Sequence, residues 1–240
     1  MINRQYFHLL AAFFRREWLV RYGSGGLGLL ILLANPAAFI GLKWLSQSTG
    51  WTIMQFSHFL FGLMWWLLLS STVANAAAVA SSYSALVRKA AFPRSILVLL
   101  PILLALTDFL LGLILYSVSL LFSKLPISDV LFIPLILMTL LPFLVGISGL
   151  LITLIFRFRK FRYAIPMVIL VAFITTPFVF EQDFTHINLL QGLNPFYFAL
   201  RFASQTYSIS YLALAFLMGL FYFISGIALF RKAAGTLADF

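Results

Sequence analysis

Few side chains in this sequence of 240 residues have the types and the spacing that chemistry requires. The three histidines, His8, His58 and His186, lie far apart along the chain, and cysteine is absent. Zinc sites take several Cys, His or carboxylate ligands, so the sequence predicts no metal centre. No combination of Ser, His and Asp and no pair of carboxylates within an apolar stretch can be identified. The sequence therefore favours a protein that is not an enzyme.

Asp108 is the only acidic residue deep inside a long apolar stretch. A carboxylate in such a position is costly, and it is by default a candidate proton relay or substrate contact. The alternative is a protonated or hydrogen-bonded carboxyl group that fixes helix packing through Thr107 or a neighbouring helix. Because proton-coupled carriers usually use more than one such group, we favour the packing interpretation and keep an ion-coupled carrier as an alternative.

A glycine-rich stretch at residues 23–28, Gly-Ser-Gly-Gly-Leu-Gly, fits the G-x-G-x-x-G pattern of dinucleotide-binding proteins. That motif needs a buried strand before it and an acidic residue about 20 positions later. Here a charged segment precedes the glycines and an apolar stretch follows, so we interpret them as an elbow where backbones pack closely. The G-x-x-x-x-G-K-[ST] pattern is also absent, and no cofactor is predicted in this chain.

The composition of the chain explains why residues suited to chemistry are so sparse. Hydrophobic residues make up 63% of the sequence and charged residues 9%, and the mean hydropathy is +1.06. Soluble domains carry about 25% charged residues, so these proportions exclude a soluble enzyme, a secreted domain and a disordered chain. The net charge is +10, but the basic residues separate apolar runs. We interpret them as topology signals rather than as a nucleic-acid site.

Several apolar runs are long enough to cross a bilayer and predict an all-α membrane protein with one transmembrane domain over residues 1–240. We predict six spans within residues 24–230, at 24–45, 54–79, 95–122, 130–156, 163–180 and 209–230. Residues 1–22 carry too many charges to span the membrane and have apolar residues near helical spacing. They are predicted to form an amphipathic helix in the membrane interface. Residues 231–240 are predicted to form a short cytoplasmic tail.

The distribution of basic residues predicts the orientation of these spans. Of the 16 Lys and Arg residues, all but Lys43, Lys124 and Arg201 fall on the side that also carries both termini. Basic residues are retained on the cytoplasmic side of a membrane. We therefore predict a multi-pass protein of the plasma membrane with both termini in the cytoplasm, which agrees with an even number of spans.

The external connection over residues 181–208 is predicted to differ from the other connections. It begins with Glu-Gln-Asp and continues as a short apolar stretch that Asn194-Pro195 interrupts. We expect this segment to return into the membrane as two short helices. Irregular backbone at that depth must be shielded by protein or must face a water-filled path.

The cytoplasmic connection between the second and third spans has an unusual combination of residues. Three cations, Arg88, Lys89 and Arg94, surround an apolar Phe92 and a rigid Pro93. Anchoring to anionic lipids would need the cations alone. An apolar anchor with a charged rim is typical of a segment that docks into a groove of a protein partner, and we predict a soluble partner here.

Two tryptophans, Trp65 and Trp66, lie in the middle of the second span rather than at its ends. The simpler interpretation is that their rings face lipid and pack the bundle. The alternative is that both tryptophans and Phe39 form a smooth aromatic wall along a translocation path, because aromatic faces stack on sugar rings without any single strong contact.

Several motifs, taken in order, resemble the membrane subunit of a type-2 ABC exporter, the kind that moves lipid-linked polysaccharide. Arg16-Glu17 followed by Arg21-Tyr22-Gly23-Ser24 resembles that family's entry to span one, and Asn35-Pro36 resembles its mid-span break. The stretch from Leu86 to Arg94 resembles its coupling helix, and Leu193-Asn194-Pro195 resembles its external L-N-P motif. The likeness covers nearly the whole chain.

The resemblance implies partners and a substrate. Two copies of the chain would pair around a central path, and a separate ABC ATPase that binds ATP and Mg²⁺ would drive transport. The complex would export a lipid-linked glycan such as O-antigen, capsule or teichoic acid. A small-molecule or drug exporter of the same superfamily is the alternative.

The resemblance also implies roles for particular residues. The ATPase would dock on the coupling residues, which are Arg88, Lys89, Phe92, Pro93 and Arg94. The external gate would include Asn194, Pro195, Phe196 and Tyr197. A separate hypothesis rests on the charges themselves: a basic cytoplasmic entrance would attract a pyrophosphate-linked lipid carrier. The residues expected there are Arg15, Arg16, Arg21 and Tyr22.

Overall fold

The computed structural model describes residues 2–23, 28, 30, 33–34, 36–41, 53–84, 92–122, 128–175, 192–204 and 208–236. Among these residues all regular structure is helical, which agrees with the predicted all-α class. The helices are α1 (Ile2–Tyr22), α2 (Ile53–Ser82), α3 (Ser95–Phe122), α4 (Ser128–Arg157), a 3₁₀ helix (Arg159–Ala164), α5 (Ile165–Thr175), α6 (Pro195–Ser204) and α7 (Ile209–Thr236). Residues 36–41 are also helical.

Four of these helices are long and apolar enough to cross a membrane. They are Phe56–Ser82, Ser95–Phe122, Val130–Arg157 and Ile209–Ala233, and they coincide with the second, third, fourth and sixth predicted spans. Most of the first predicted span lies outside the described residues. The fifth predicted span is described only as far as Thr175. Its described part contains α5, which is 11 residues long. The count of six spans therefore stays a prediction.

The last helix extends further than the sequence pattern indicated. α7 continues to Thr236, past the predicted end of the span at residue 230. Arg231, Lys232 and Ala233 have high helix propensities, so the helix continues after the apolar run has ended.

Helix α2 lies at the centre of the bundle and packs against α3, α4 and α5. In its most apolar window 83% of the residues are buried, against 22% in the corresponding window of α7. The rings of Trp65 and Trp66 are fully buried within this core. A helix that is apolar all round and buried on all sides is the element around which the others are arranged.

Polar side chains of two neighbouring helices reach the backbone of α3 close to Pro101. Ser148 Oγ on α4 donates a hydrogen bond to the Val98 carbonyl oxygen over 2.9 Å. Asn75 Nδ2 on α2 donates to the Pro101 carbonyl oxygen over 3.3 Å. Pro101 removes the helical donor of the Leu97 carbonyl, one turn earlier. The two bonds go to other carbonyls, so they join α2 and α4 to α3 beside the proline rather than replace the lost bond.

Helices α4 and α7 meet through glycines. A Cβ atom built on Gly226 would collide with the carbonyl oxygen of Gly146, and one built on Gly146 would collide with the backbone of Tyr222. At Gly149 an added Cβ would lie 3.2 Å from the Gly226 carbonyl oxygen. Small residues allow the backbones of two spanning helices to approach closely, so packing between backbones holds this pair together.

Candidate functional site

Helix α1 contacts the first half of α3, from the start of α3 to its middle. Near the start of α1, Ser95 Oγ donates a hydrogen bond to Tyr6 Oη over 3.2 Å. At its end, Tyr22 Oη donates to Asp108 Oδ1 over 3.0 Å. Asp108 lies about 20 Å along α3 from Ser95 at 1.5 Å per residue. The predicted helix is therefore present, but its end lies deeper in the bundle than a helix lying flat in the interface would reach.

The middle of α1 packs on both ends of the connection between α2 and α3. The ring of Phe13 meets the ring of Tyr83 edge-on at a centroid distance of 5.1 Å and the ring of Phe92 at 5.7 Å. Tyr83 Oη donates a hydrogen bond to Glu17. Arg16 Nη1 donates to Tyr83 Oη over 3.5 Å, and its guanidinium carbon lies 5.4 Å from the ring centroid. Tyr83 therefore joins α1 to the end of α2.

A polar network joins the end of α1 to the middle of α3 through α2. Tyr22 donates a hydrogen bond to one oxygen of Asp108, and Ser71 donates to the other. One turn further along α2, Asn75 accepts a hydrogen bond from Arg21 through its side-chain oxygen. Each of the three helices therefore contributes side chains to one set of hydrogen bonds.

Asp108 has the surroundings of a structural carboxylate. Both of its oxygens accept hydrogen bonds from hydroxyl groups of other helices. Thr107, the other suggested partner, donates instead to the Leu104 carbonyl oxygen over 2.6 Å. This geometry supports the packing interpretation through a neighbouring helix, because buried polar groups that are satisfied fix the arrangement of the elements that carry them.

The two tyrosines that join α1 to the bundle remain hydrogen-bond donors at neutral pH. Burial, together with the neighbouring carboxylate of Asp108, raises the pKa of Tyr22 to about 12. Burial and the hydrogen bond to Glu17 raise the pKa of Tyr83 to about 12 as well. Both phenols keep their protons far above physiological pH, so the hydrogen bonds that hold α1 persist there.

Sequence reasoning missed Ser71 and Asn75 of the network around Asp108, and it missed Tyr83, which joins the middle of α1 to α2. A signal for two of them was present, because Ser71 and Asn75 are polar residues four positions apart in an apolar span. Residues at that spacing share one face of a helix, and that face points toward α3. Tyr83 gave no comparable signal, since a tyrosine at the end of a span is common.

The four residues predicted at the cytoplasmic entrance lie in different surroundings. Arg15 is exposed. Arg16 is exposed and contacts Tyr83, whereas Arg21 and Tyr22 are half-buried and bonded to α2 and α3. The structure thus places these side chains along the last two turns of α1, and the more C-terminal pair holds the helix in place.

The predicted coupling residues are described only in part. Arg88 and Lys89 lie outside the described residues. Phe92, Pro93 and Arg94 are half-buried. The ring of Phe92 contacts Phe13 of α1, which sequence reasoning did not anticipate. The predicted apolar anchor therefore touches α1 within its own chain.

The three aromatic residues predicted along a translocation path separate into two groups. The rings of Phe39 and Phe173 lie 6.2 and 5.2 Å from the ring of Trp66. Trp65 faces α3, and its ring centroid lies 5.0 Å from that of Phe109. Consecutive residues point about 100° apart around a helix, so the two tryptophans meet different neighbours. Both rings are buried in the core of the bundle. The simpler interpretation is therefore confirmed for bundle packing and wrong for contact with lipid.

The four residues of the predicted external gate form a buried helix start. Asn194 Oδ1 accepts a hydrogen bond from the backbone N–H of Phe196 over 3.0 Å, and Pro195 is the first residue of α6. An Asn cap followed by Pro is a favoured helix N-terminus. Phe196 and Tyr197 are fully buried. Residues 181–191, the first part of the predicted hairpin, lie outside the described residues.

The turn before α6 contacts the middle of two long helices. Tyr222 Oη, halfway along α7, donates a hydrogen bond to the Leu193 carbonyl oxygen over 3.2 Å. The ring of Phe196 lies 5.8 Å from that of Phe143, halfway along α4. Leu193 and Asn194 also line a cavity of about 240 Å³ that continues between α2, α4, α5 and α7. The turn is therefore placed at the middle of the bundle, beside a partly open cavity.

These features define a helical multi-pass membrane protein with an N-terminal helix hydrogen-bonded to its interior. No family model matches the sequence. The chain is 26% identical over 199 residues to the O-antigen export system permease protein RfbA of Myxococcus xanthus. The aligned region covers 80% of this chain and 76% of that protein. This similarity confirms the predicted resemblance to the membrane subunits of type-2 ABC exporters.

Proposed function

We propose that this chain is the transmembrane subunit of an ATP-driven exporter that moves a lipid-linked polysaccharide across the plasma membrane. The similarity to an O-antigen export permease over four-fifths of the chain carries the proposal. A separate ATPase supplies the energy, and a second copy of the chain completes the path. O-antigen is the first glycan to test, with capsule and teichoic acid as the other candidates.

The contacts of α1 support a route from the ATPase to the interior of the bundle. A partner that docks on residues 88–94 would press on Phe92, whose ring contacts Phe13 of α1. The same helix ends at Tyr22, which is bonded to Asp108 in the middle of α3. A displacement at the cytoplasmic connection would therefore move α1 relative to α2 and α3.

The remaining predicted residues receive roles in this scheme. Arg15 and Arg16, which are exposed, would attract the phosphates of the lipid carrier to the cytoplasmic entrance, because Arg pairs well with phosphate. Arg21 is bonded to Asn75 and would instead hold α1 in place. The turn at Asn194 and Pro195 would gate the external end of the path. The cavity beside it supports this role, since irregular backbone deep in a membrane protein normally borders protein or a water-filled space.

Co-purification tests the ATPase partner directly. The tagged chain is isolated in mild detergent from cells that express it, and accompanying proteins are identified by mass spectrometry. We expect a stoichiometric ATPase subunit that is lost from Phe92→Ala and retained in Phe122→Ala, which alters an exposed Phe at the opposite end of α3. An isolated oligomer without any ATPase would contradict the proposal.

Transport assays test the entrance. Arg15→Gln removes one exposed charge near the end of α1, and Arg4→Gln removes one near its start. We expect Arg15→Gln to lower export of the lipid-linked glycan severalfold and Arg4→Gln to leave it unchanged, with normal ATPase recovery in both. Equal export by the two variants would contradict the assignment of Arg15.

A further inference from the structure

A groove with apolar walls and a basic end lies between α3, α4 and α7. Its volume is about 420 Å³, which is within the roughly 300–1,000 Å³ that small-molecule sites occupy. Side chains from all three helices line it, and they are Arg94, Ser95, Val98, Leu99, Val145, Ile227, Phe230 and Arg231. Arg94 is also one of the predicted coupling residues, but none of the functions proposed above uses the apolar part of the groove.

The two kinds of lining residue are separated along the groove. Arg94 and Ser95 precede or begin α3, and Arg231 follows the apolar part of α7, so the polar groups lie at the predicted cytoplasmic ends of the helices. The wall residues, such as Leu99 and Ile227, come about one turn further into the apolar stretches. A ligand that matches this arrangement has an anionic head and a hydrocarbon tail.

We propose that this groove binds one anionic phospholipid. Its phosphate lies at the end formed by Arg94 and Arg231, and an acyl chain runs along Val98, Leu99 and Ile227. Arginine is well suited to phosphate because its guanidinium group donates several hydrogen bonds in a fixed plane. Basic pockets between spanning helices on the cytoplasmic side are recurrent sites for anionic lipid head groups.

The groove adjoins α1, so an occupant would affect more than the local packing. Ser95 lines the groove and donates a hydrogen bond to Tyr6 near the start of α1. A lipid held in the groove would keep Ser95 in place for that contact. The lipid would thus stabilise the cytoplasmic start of α1, the opposite end from the Tyr22–Asp108 hydrogen bond.

The test measures lipid retention by the intact purified chain. Delipidated protein is titrated with dioleoyl phosphatidylglycerol or dioleoyl phosphatidylcholine, and bound lipid is counted by native mass spectrometry. The variants are Arg231→Gln, which removes charge at the groove, and Leu99→Trp, which fills it. Their controls are Lys232→Gln, the adjacent exposed cation, and Leu110→Trp, at an exposed site further along α3.

We expect one phosphatidylglycerol per chain in the wild type and in both controls, with weaker retention of phosphatidylcholine. Arg231→Gln should weaken retention of phosphatidylglycerol about fivefold, the effect of one cation at a membrane surface, and Leu99→Trp should abolish it. Equal retention by all variants would overturn the proposal.

Three further measurements distinguish other occupants. Glycerol 1-phosphate should not displace the phospholipid at matched concentrations, because the acyl chain contributes to binding; displacement would overturn the groove assignment. Undecaprenyl phosphate that displaces phosphatidylglycerol stoichiometrically would assign the site to a transported carrier instead. A change in oligomeric mass in Leu99→Trp would assign the groove to a second copy of the chain.

Discussion

The α1–α2–α3 region and the α4–α7 pair are held together by different interactions. In the first region, hydroxyl, amide, carboxylate and guanidinium groups join three helices through hydrogen bonds around Asp108 and Tyr83. In the second, glycines bring two backbones into contact. Gly112 also allows α3 to approach α2, with an added Cβ only 2.9 Å from Met64 Cα, but that contact lies beyond the polar network.

The difference indicates which part of the molecule is able to change its arrangement. Hydrogen-bonding groups can exchange partners with water, lipid or substrate at a modest net free-energy cost. Backbones in close packing have no alternative partners, and any separation opens a void. We therefore expect α4 and α7 to move as one unit and α1 to move relative to α2 and α3.

The largest expected effect comes from breaking the glycine contact. Gly226→Ala places a Cβ against the backbone of Gly146, and overpacking of this kind should lower the free energy of unfolding by about 3 kcal/mol. Gly41→Ala is the control, because an added Cβ there has no atom within 4 Å. Thermal unfolding in detergent measures both variants. Equal melting temperatures would show that α4 and α7 separate readily.

The next effect comes from removing the carboxylate at the centre of the polar network. Asp108→Leu leaves the hydroxyl groups of Tyr22 and Ser71 without their acceptor, at a cost of about 1–3 kcal/mol. Asp108→Asn keeps one acceptor oxygen and should cost less. Because the chain has no cysteine, spin labels on Ala12→Cys and Ser82→Cys report the position of α1.

We expect a broader distance distribution between those labels in Asp108→Leu than in Asp108→Asn. Identical distributions would show that the network does not hold α1. Loss of transport in Asp108→Asn, with ATPase assembly intact, would instead favour the ion-coupled carrier.

A smaller effect is expected at the start of α6. Asn194→Ala removes the side-chain cap on the backbone N–H of Phe196 and should cost about 1 kcal/mol of stability. Asn194→Ser keeps a capping oxygen and is the control. Hydrogen exchange of the first turn of α6 measures the change. Faster exchange in both variants alike would show that the cap itself contributes little.

The smallest effect concerns loss of the phenol protons of Tyr22 and Tyr83, which join α1 to α2 and α3. It is absent near neutral pH. The pKa values of Tyr22 and Tyr83 rise from 10 to about 12 in the folded chain. The hydrogen bonds that these two phenols donate therefore stabilise the fold fully below pH 10, and this stabilisation is lost between pH 10 and pH 12. The distance distribution between spin labels on Ala12→Cys and Ser82→Cys should therefore stay constant up to pH 10 and become broader above it. Tyr22→Phe should remove part of this pH dependence. If the double variant Tyr22→Phe/Tyr83→Phe keeps the full pH dependence, the two tyrosines are not its cause.

The sequence by itself determined where four of the long membrane helices lie and that α1 is helical. These features are local, because a bilayer requires about 20 apolar residues per span and the helix satisfies its own backbone hydrogen bonds. The interruption at Asn194 and Pro195 was also visible in the sequence, but its role as a helix cap became clear only from the structure. The order of the motifs also sufficed to indicate the exporter family.

Only the tertiary structure decided which residues meet. Asp108 stood out in the sequence, but its partners Tyr22 and Ser71 come from helices far away along the chain, and Phe92 turned out to contact Phe13. The different directions of Trp65 and Trp66 became informative only when their neighbours were known. Rotation and depth of each helix are set by packing between side chains distant in sequence. In α2 the apolar pattern continues around most of the helix, so only the spacing of Ser71 and Asn75 indicates which face meets α3.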